Sequence, residues 1–124
     1  MSVRKRTWTT LGGVVLALTV TVADAADAGY SANFVMPGCR VMLNYNDPTF
    51  DPTFQAGLCA GLVAGARYSV YRRPDLCADV PKGATNEQII RVVVRYTEMR
   101  PQKMHQPFIG FAMAAMIDAW PCKK

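Results

Sequence analysis

Residues 54–65 of the 124-residue chain read FQAGLCAGLVAG and place Gly57, Gly61 and Gly65 four residues apart. Small residues at this spacing let membrane helices approach one another closely, whereas in a soluble helix each glycine costs about 1 kcal/mol relative to alanine. The apolar core of the stretch is far shorter than the ~20 residues that cross a bilayer. The glycines also lack the G-x-G-x-x-G spacing and the preceding strand of a dinucleotide site. We therefore interpret the stretch as a soluble helix whose glycines let a neighbouring helix approach closely.

The first 25 residues have the pattern of a secretory signal peptide. A basic start at residues 4–6 is followed by an apolar run at residues 11–22 and by the small residues of an A-x-A cleavage site at 23–25. An uncleaved N-terminal anchor is the alternative, but the apolar run is short for a membrane span. We predict cleavage after Ala25, export to the periplasm and one small domain over residues 26–124.

The charge balance argues against a nucleic-acid partner. The predicted leader carries three of the 14 Lys and Arg residues and one of the nine acidic residues, so its removal lowers the net charge from +5 to +3. A mild excess spread along the chain is typical of a soluble surface and not of a nucleic-acid footprint. We also expect no membrane span after cleavage of the signal peptide.

The cysteine count predicts two disulfides in an exported domain of this size. The four residues are Cys39, Cys59, Cys77 and Cys122. A zinc site is the alternative, but the chain has no C-x-x-C pair and a single histidine, His105. If the first two helices form an antiparallel hairpin around residues 46–52, Cys39 and Cys59 lie at similar distances from the turn. We therefore predict the pairs Cys39–Cys59 and Cys77–Cys122.

The apolar periodicity predicts an all-α fold, a small bundle of about four helices stapled by the two disulfides. We expect helices over residues 38–45, 52–71, 87–99 and 107–119. Pro37 precedes the first helix, and the second Asp-Pro of the tandem DPTF sequence begins the second. Thr85 and Gln88 have the spacing of a capping box at the start of the third helix, although its β-branched run is also compatible with a strand.

The fourth predicted helix is apolar on all sides, which is typical of a helix central to a core or shared with another subunit. Its Ala112, Ala115 and Ala119 are slim side chains that we expect to pack on the glycines of the second helix. The methionines and aromatic residues of this helix are better explained by core packing than by a ligand pocket, because a domain of this size needs that apolar area to fold.

The sequence offers no clear catalytic constellation. Ser31, Ser69 and His105 are present, but no nucleophile-elbow sequence surrounds either serine, and no metal cluster, phosphate loop or suggestively spaced carboxylate pair occurs. His105 lies in a turn between two prolines, where a surface or helix-capping role is commoner than catalysis. We expect a protein without enzymatic activity, cofactor or metal.

Residues 39–122 carry an ordered set of motifs: the F-x-x-G-x-C-x-G-x-x-x-G pattern at 54–65, Cys77, Pro81, Gly83, Thr85, Gln88, the VVVRY run at 92–96, Pro101, His105 and the closing Pro121-Cys122. This set resembles the Tai/Rap immunity proteins, which protect cells against type VI secretion amidase effectors. The resemblance implies a periplasmic, disulfide-bonded helical protein, often a homodimer. Such proteins block the active-site cleft of a peptidoglycan amidase and have no catalysis of their own.

Two exposed loops are the expected contacts with a partner. The loops at residues 46–53 and 72–79 are candidates for contact with an effector, because exposed loops commonly carry binding residues.

The alternative function is that of a small periplasmic acid-stress chaperone of the HdeA type, which is also exported, helical and disulfide-bonded. Only eight acidic residues remain after removal of Asp24 from the nine, so the charge change that would drive such a chaperone is modest.

Overall fold

The computed structural model describes residues 29–123, and the predicted signal peptide with its cleavage site lies outside them. Four helices follow one another: α1 (Ala32–Met42), α2 (Phe54–Arg72), α3 (Asn86–Glu98) and α4 (Phe108–Ala119). Short 3₁₀ turns at Pro74–Leu76 and Pro101–Lys103 interrupt the second and third connections. The described part of the chain contains no strand, only two isolated β-bridges. The prediction of an all-α bundle of four helices is confirmed.

Helix α1 begins six residues earlier than predicted. Ser31 caps it, since its hydroxyl oxygen accepts a hydrogen bond from the amide of Phe34 at 3.3 Å. Pro37 lies inside the helix instead of before it, on the exposed side. A proline removes one helical hydrogen bond; the cap and the buried face of α1 outweigh that local preference.

Helices α2 and α3 begin close to their predicted positions. The hydroxyl of Thr53 accepts from the amide of Ala56 at 3.1 Å, so the cap of α2 is Thr53 and not the preceding Asp51. The capping box of α3 is formed as predicted. The amide of Gln88 donates to the Thr85 hydroxyl at 3.2 Å, and the Thr85 amide donates to the Gln88 side chain at 2.9 Å.

The closest approach of two helices occurs at Gly38 of α1, a residue that the sequence analysis did not single out. A methyl group added there would overlap the carbonyl of Gln55 and stand 2.5 Å from the amide nitrogen of Ala56. The neighbouring Cys39 is fully buried and bonded to Cys59 of α2, with 5.2 Å between the two Cα atoms. Helix α1 thus lies directly on the first turn of α2 because residue 38 has no side chain.

The prediction that Gly57, Gly61 and Gly65 receive α4 is wrong. All three glycines are exposed, and a Cβ added at any of them would meet no atom within 4 Å. The core face of α2 is the opposite one, formed by Ala56, Cys59, Val63, Ala66 and Val70. These residues also follow the 3–4 spacing of an amphipathic helix, and they bury more apolar area than glycines would.

Helix α4 is central to the core, as its sequence indicates. Phe108, Phe111 and Met116 are buried together with Ala112 and Ala115, whereas Ala119 is exposed. Helix α3 contributes the buried side chains of Ile89, Ile90, Val93, Val94 and Thr97. The hydroxyl of Thr97 donates to the carbonyl of Val93 at 2.8 Å, which satisfies the one buried polar side chain of this core.

Both predicted disulfide pairs are confirmed. Cys77–Cys122 joins the loop after α2 to the C-terminal segment, with 5.1 Å between the Cα atoms. Backbone hydrogen bonds flank this bond: the Asp79 amide donates to the Trp120 carbonyl at 2.8 Å, and the Cys122 amide to the Cys77 carbonyl at 3.2 Å. No helix within residues 29–123 has the length and apolar character that crossing a bilayer requires.

The contact at Gly38 generates the first prediction. Gly38→Ala should lower the free energy of unfolding by about 1–3 kcal/mol, because its methyl group pushes on backbone atoms of α2 that cannot rotate away. Thermal or urea unfolding followed by circular dichroism measures this change. Gly110→Ala in the first turn of α4 is the matched control, since that position is exposed with open space around it. Equal stability of the two variants would contradict the close approach.

The second prediction concerns the order in which the disulfides are reduced. Cys77 is exposed, whereas Cys39 and Cys59 are fully buried. Because a thiolate must reach the sulfur atom that it attacks, a mild reductant should open Cys77–Cys122 first in the folded protein. Alkylation at timed intervals followed by peptide mass spectrometry measures the order. Equal rates for the two bonds, or faster opening of Cys39–Cys59, would contradict the prediction.

Candidate protein-binding surfaces

The loop at residues 46–53 is exposed but locally ordered. Only Phe50 is partly buried within it. The hydroxyl of Thr49 and then its backbone amide donate to Asp47 Oδ1, at 2.6 and 2.8 Å, and these hydrogen bonds lower the pKa of Asp47 below its ordinary value. The amide of Phe50 also donates to the carbonyl of Asp47 at 2.9 Å. The loop therefore presents a turn of defined shape that carries negative charge.

The loop at residues 72–79 is the second candidate from the sequence, and it lies at the other end of α2. Within it, Arg73 forms an exposed ion pair with Asp75 at 2.7 Å. The hydrogen bond from Arg73 lowers the pKa of Asp75, and the same pair raises the pKa of Arg73. Cys77 has a φ of 48°, in the left-handed region, and its disulfide ties the loop to the C-terminal segment.

Arg67 holds the continuation of that loop against α2. Its guanidinium donates to the carbonyl oxygens of Ala84 at 3.2 Å, Pro81 at 3.3 Å and Lys82 at 3.5 Å. A planar guanidinium carries five donors, so one arginine can satisfy several carbonyl groups of an irregular segment. Arg67 therefore acts as a clasp between α2 and residues 81–84.

A cavity of about 500 Å³ opens beside this clasp. Tyr68, Tyr71 and Val80 form part of its apolar wall, and its charged lining residues are Arg67, Lys82 and Asp79. A second cavity, of about 300 Å³, lies between Met42 and Tyr45 on one side and the first turn of α3 on the other. Cavities of this size accommodate a partner's side chain.

The outer face of α2 carries large aromatic side chains at its two ends. Phe54 is 70% exposed, Tyr68 65% and Tyr71 78%. At the start of the helix, Phe54 meets Tyr30 edge to face at 6.5 Å between ring centroids, and Tyr30 stacks on Phe34 at 5.3 Å. Exposed aromatic residues are typical of protein-binding sites.

The structure does not bring the sequence candidates for catalysis together. Ser31 caps α1, and the hydroxyl of Ser69 donates to the carbonyl of Gly65 at 2.9 Å. His105 is exposed in the turn before α4, and within residues 29–123 no side-chain hydrogen bond links it to a serine or a carboxylate. The part of the chain that the structure describes also contains no cluster of three potential metal ligands.

The fold and its surfaces define a small disulfide-bonded helical scaffold with exposed loops and aromatic surface suited to protein binding. A family model described as Rap1a immunity proteins matches residues 31–122. The chain belongs to this family, and the resemblance to Tai/Rap immunity proteins is confirmed. No curated protein and no solved structure matches the chain. Membership indicates an immunity-type protein whose partner is an effector protein.

Two residues that shape these surfaces, Gly38 and Arg67, were not predicted from the sequence. The glycine in α1 is isolated, so no periodic pattern marks it as a contact. Arg67 directly follows the apolar run at residues 56–66. Its position on the helix offered a signal, because it lies between the core residues Ala66 and Val70 and therefore beside the core face.

The third prediction tests the Arg67 clasp. Arg67→Ala removes three hydrogen bonds to carbonyl groups, so hydrogen exchange of the amides in residues 78–84 should accelerate, and the free energy of unfolding should fall by about 1–2 kcal/mol. Exchange measured by mass spectrometry locates the change. Arg95→Ala, at an exposed position of α3, is the control. Unchanged exchange in residues 78–84 would show that the disulfide alone holds this segment.

Proposed function

We propose that this protein is a periplasmic immunity protein that binds a peptidoglycan amidase delivered by type VI secretion and occludes its active-site cleft. The family match over residues 31–122 carries the proposal. Two disulfides support export to an oxidising compartment, and the signal-peptide pattern of residues 1–25 supports the same route. Inhibition by occlusion requires a rigid surface and no catalytic group of the inhibitor.

We further propose that the loop at residues 46–53 contacts the effector and that the protein is a homodimer. The loop is exposed and ordered by its own hydrogen bonds, so little conformational entropy is lost when it binds. The homodimer follows from the resemblance to Tai/Rap immunity proteins. We also propose that the signal peptide is cleaved after Ala25. The mass of the protein purified from the periplasm measures this cleavage directly.

The fourth prediction tests inhibition. If a neighbouring reading frame encodes an amidase with a Cys/His active site, the purified protein should inhibit that enzyme on isolated peptidoglycan at about one protein per enzyme. Release of soluble peptide measures the activity. Pro48→Arg, in the 46–53 loop, should weaken inhibition at least about tenfold by placing a bulky charge in the contact. Gln102→Arg, at an exposed position of the 3₁₀ turn, is the matched control.

Other results would contradict this function. Tight binding without loss of activity would exclude occlusion. Failure to bind any amidase, combined with suppression of aggregation of unrelated proteins at low pH, would favour the acid-stress chaperone. Normal inhibition by Pro48→Arg would leave the function standing and would move the contact away from the 46–53 loop.

A further inference from the structure

The outer face of α2 is exposed and free of charge along almost its whole length. Arg67 is the only charged residue between positions 54 and 71, and its guanidinium is engaged with the carbonyl groups of residues 81–84. Phe54 and Tyr68 project from the two ends of this face. The three glycines between them form a floor without side chains. We call the surface formed by Phe54, Gly57, Gly61, Gly65, Tyr68 and Arg72 the outer stripe of α2.

Five of the six residues of the outer stripe lie symmetrically about Gly61. Phe54 lies seven residues before Gly61 and Tyr68 seven residues after it, while Gly57 and Gly65 lie four residues to either side. At 1.5 Å per residue these steps correspond to about 10.5 and 6 Å along the helix. A surface that reads alike in both directions fits a second copy of itself across a two-fold axis.

We propose that the outer stripe of α2 is the interface between two copies of this chain, which cross antiparallel with the two-fold axis at Gly61. The interface rests on the homodimer proposed above and identifies its surface. In this arrangement Phe54 of each copy comes level with Tyr68 of the other. The two aromatic ends thereby cover each other, and the glycine floors face one another.

The shape of the outer stripe accommodates the aromatic ring. Residues at i, i+3, i+4 and i+7 of a helix surround a hole that receives a side chain in knobs-into-holes packing, and Gly65, Tyr68, Ser69 and Arg72 have this spacing. One corner is a glycine around which an added Cβ meets nothing within 4 Å, so the hole has room for a large knob. Phe54 of the second copy, which comes level with Tyr68, is that knob.

Charge at the two ends of α2 selects the antiparallel direction. Arg72 is the last residue of the helix, and Asp51 lies three residues before its first. Within residues 29–123 neither side chain takes part in an ion pair. Antiparallel crossing brings Asp51 of one copy towards Arg72 of the other, whereas parallel crossing would place like charges together.

The exposed aromatic residues of the stripe supply part of the area that a dimer needs. Phe54 is 70% and Tyr68 65% exposed, and a side chain of this kind buries about 200 Å² when fully covered. The two together offer roughly 270 Å² per copy, about a third of the ~800 Å² that a standard interface buries on each partner. The glycine floor and the charged ends supply further contact.

The fifth prediction is tested by the mass of the oxidised, leader-free protein in sedimentation equilibrium over the micromolar range. The wild-type protein should be a dimer. Gly61→Glu should raise the dissociation constant of the dimer about a hundredfold or more, because it places a carboxylate at the two-fold axis opposite its own copy. Its fold should persist, since position 61 has open space in the single chain. Gly110→Glu, at an exposed glycine of α4, is the matched control and should remain dimeric.

Two further sets of variants strengthen the test. Phe54→Ser should weaken the dimer without introducing charge. This variant still tests the interface if Gly61→Glu disrupts helix α2. Asp51→Arg and Arg72→Asp should each weaken the dimer, and the double variant should recover most of the lost affinity because every copy then carries the reversed pair.

The possible failures are distinguishable. A wild-type protein that is monomeric throughout overturns both the homodimer and this interface, but it leaves the immunity function to its own assay. A dimer that survives Gly61→Glu and Phe54→Ser overturns the interface alone. If the wild-type protein is monomeric and these variants instead lose binding to the amidase, the stripe is a contact surface for the effector and the proposal is wrong.

Discussion

The contact between α1 and α2 at Gly38 is the constraint on which the rest of this fold depends. Residue 38 has no side chain, so the backbone of α1 touches the backbone at the start of α2. The next residue, Cys39, then lies within bonding distance of Cys59. Once these two helices are fixed, the part of the core face of α2 that does not meet α1 packs against α3 and α4. Its outer stripe is left facing solvent as a direct consequence.

How much of this could be read from the sequence depends on the range of the interaction concerned. The capping box of α3 lies within four residues of chain, and both of its hydrogen bonds occur as predicted. The pair Cys39–Cys59 follows from a helical hairpin around residues 46–52, and Cys77 and Cys122 then remain to pair with each other. Helix α1 starts earlier than predicted because Pro37 is only a local signal for a helix start, whereas the turn from Ser31 to Met36 is stabilised by the burial of Ala32, Val35 and Met36 in the tertiary fold.

The buried face of α2 is harder to predict, because two different periodic patterns share this helix. The glycines recur every four residues, and the set Ala56, Cys59, Val63, Ala66 and Val70 recurs at alternating three and four. Close packing of small residues and burial of larger apolar ones are both physically reasonable. Apolar area decides between them in water: valine and alanine side chains gain free energy on burial that a glycine cannot. The glycine face of α2 therefore faces solvent, and the face with valine and alanine is the buried one.

This orientation changes what the glycines imply. Three glycines in a soluble helix cost about 1 kcal/mol each relative to alanine, which is a sizeable fraction of the stability of a domain this small. None of the three is needed for a contact within residues 29–123, since each has open space where a side chain would be. Glycines on a helix face that meets only solvent bring no gain in stability. Glycines on a face that packs against another helix allow the two backbones to approach closely. The stripe is thus better explained by contact with another chain than by the packing of its own bundle, and the matched aromatic residues at its two ends favour a second copy as that chain.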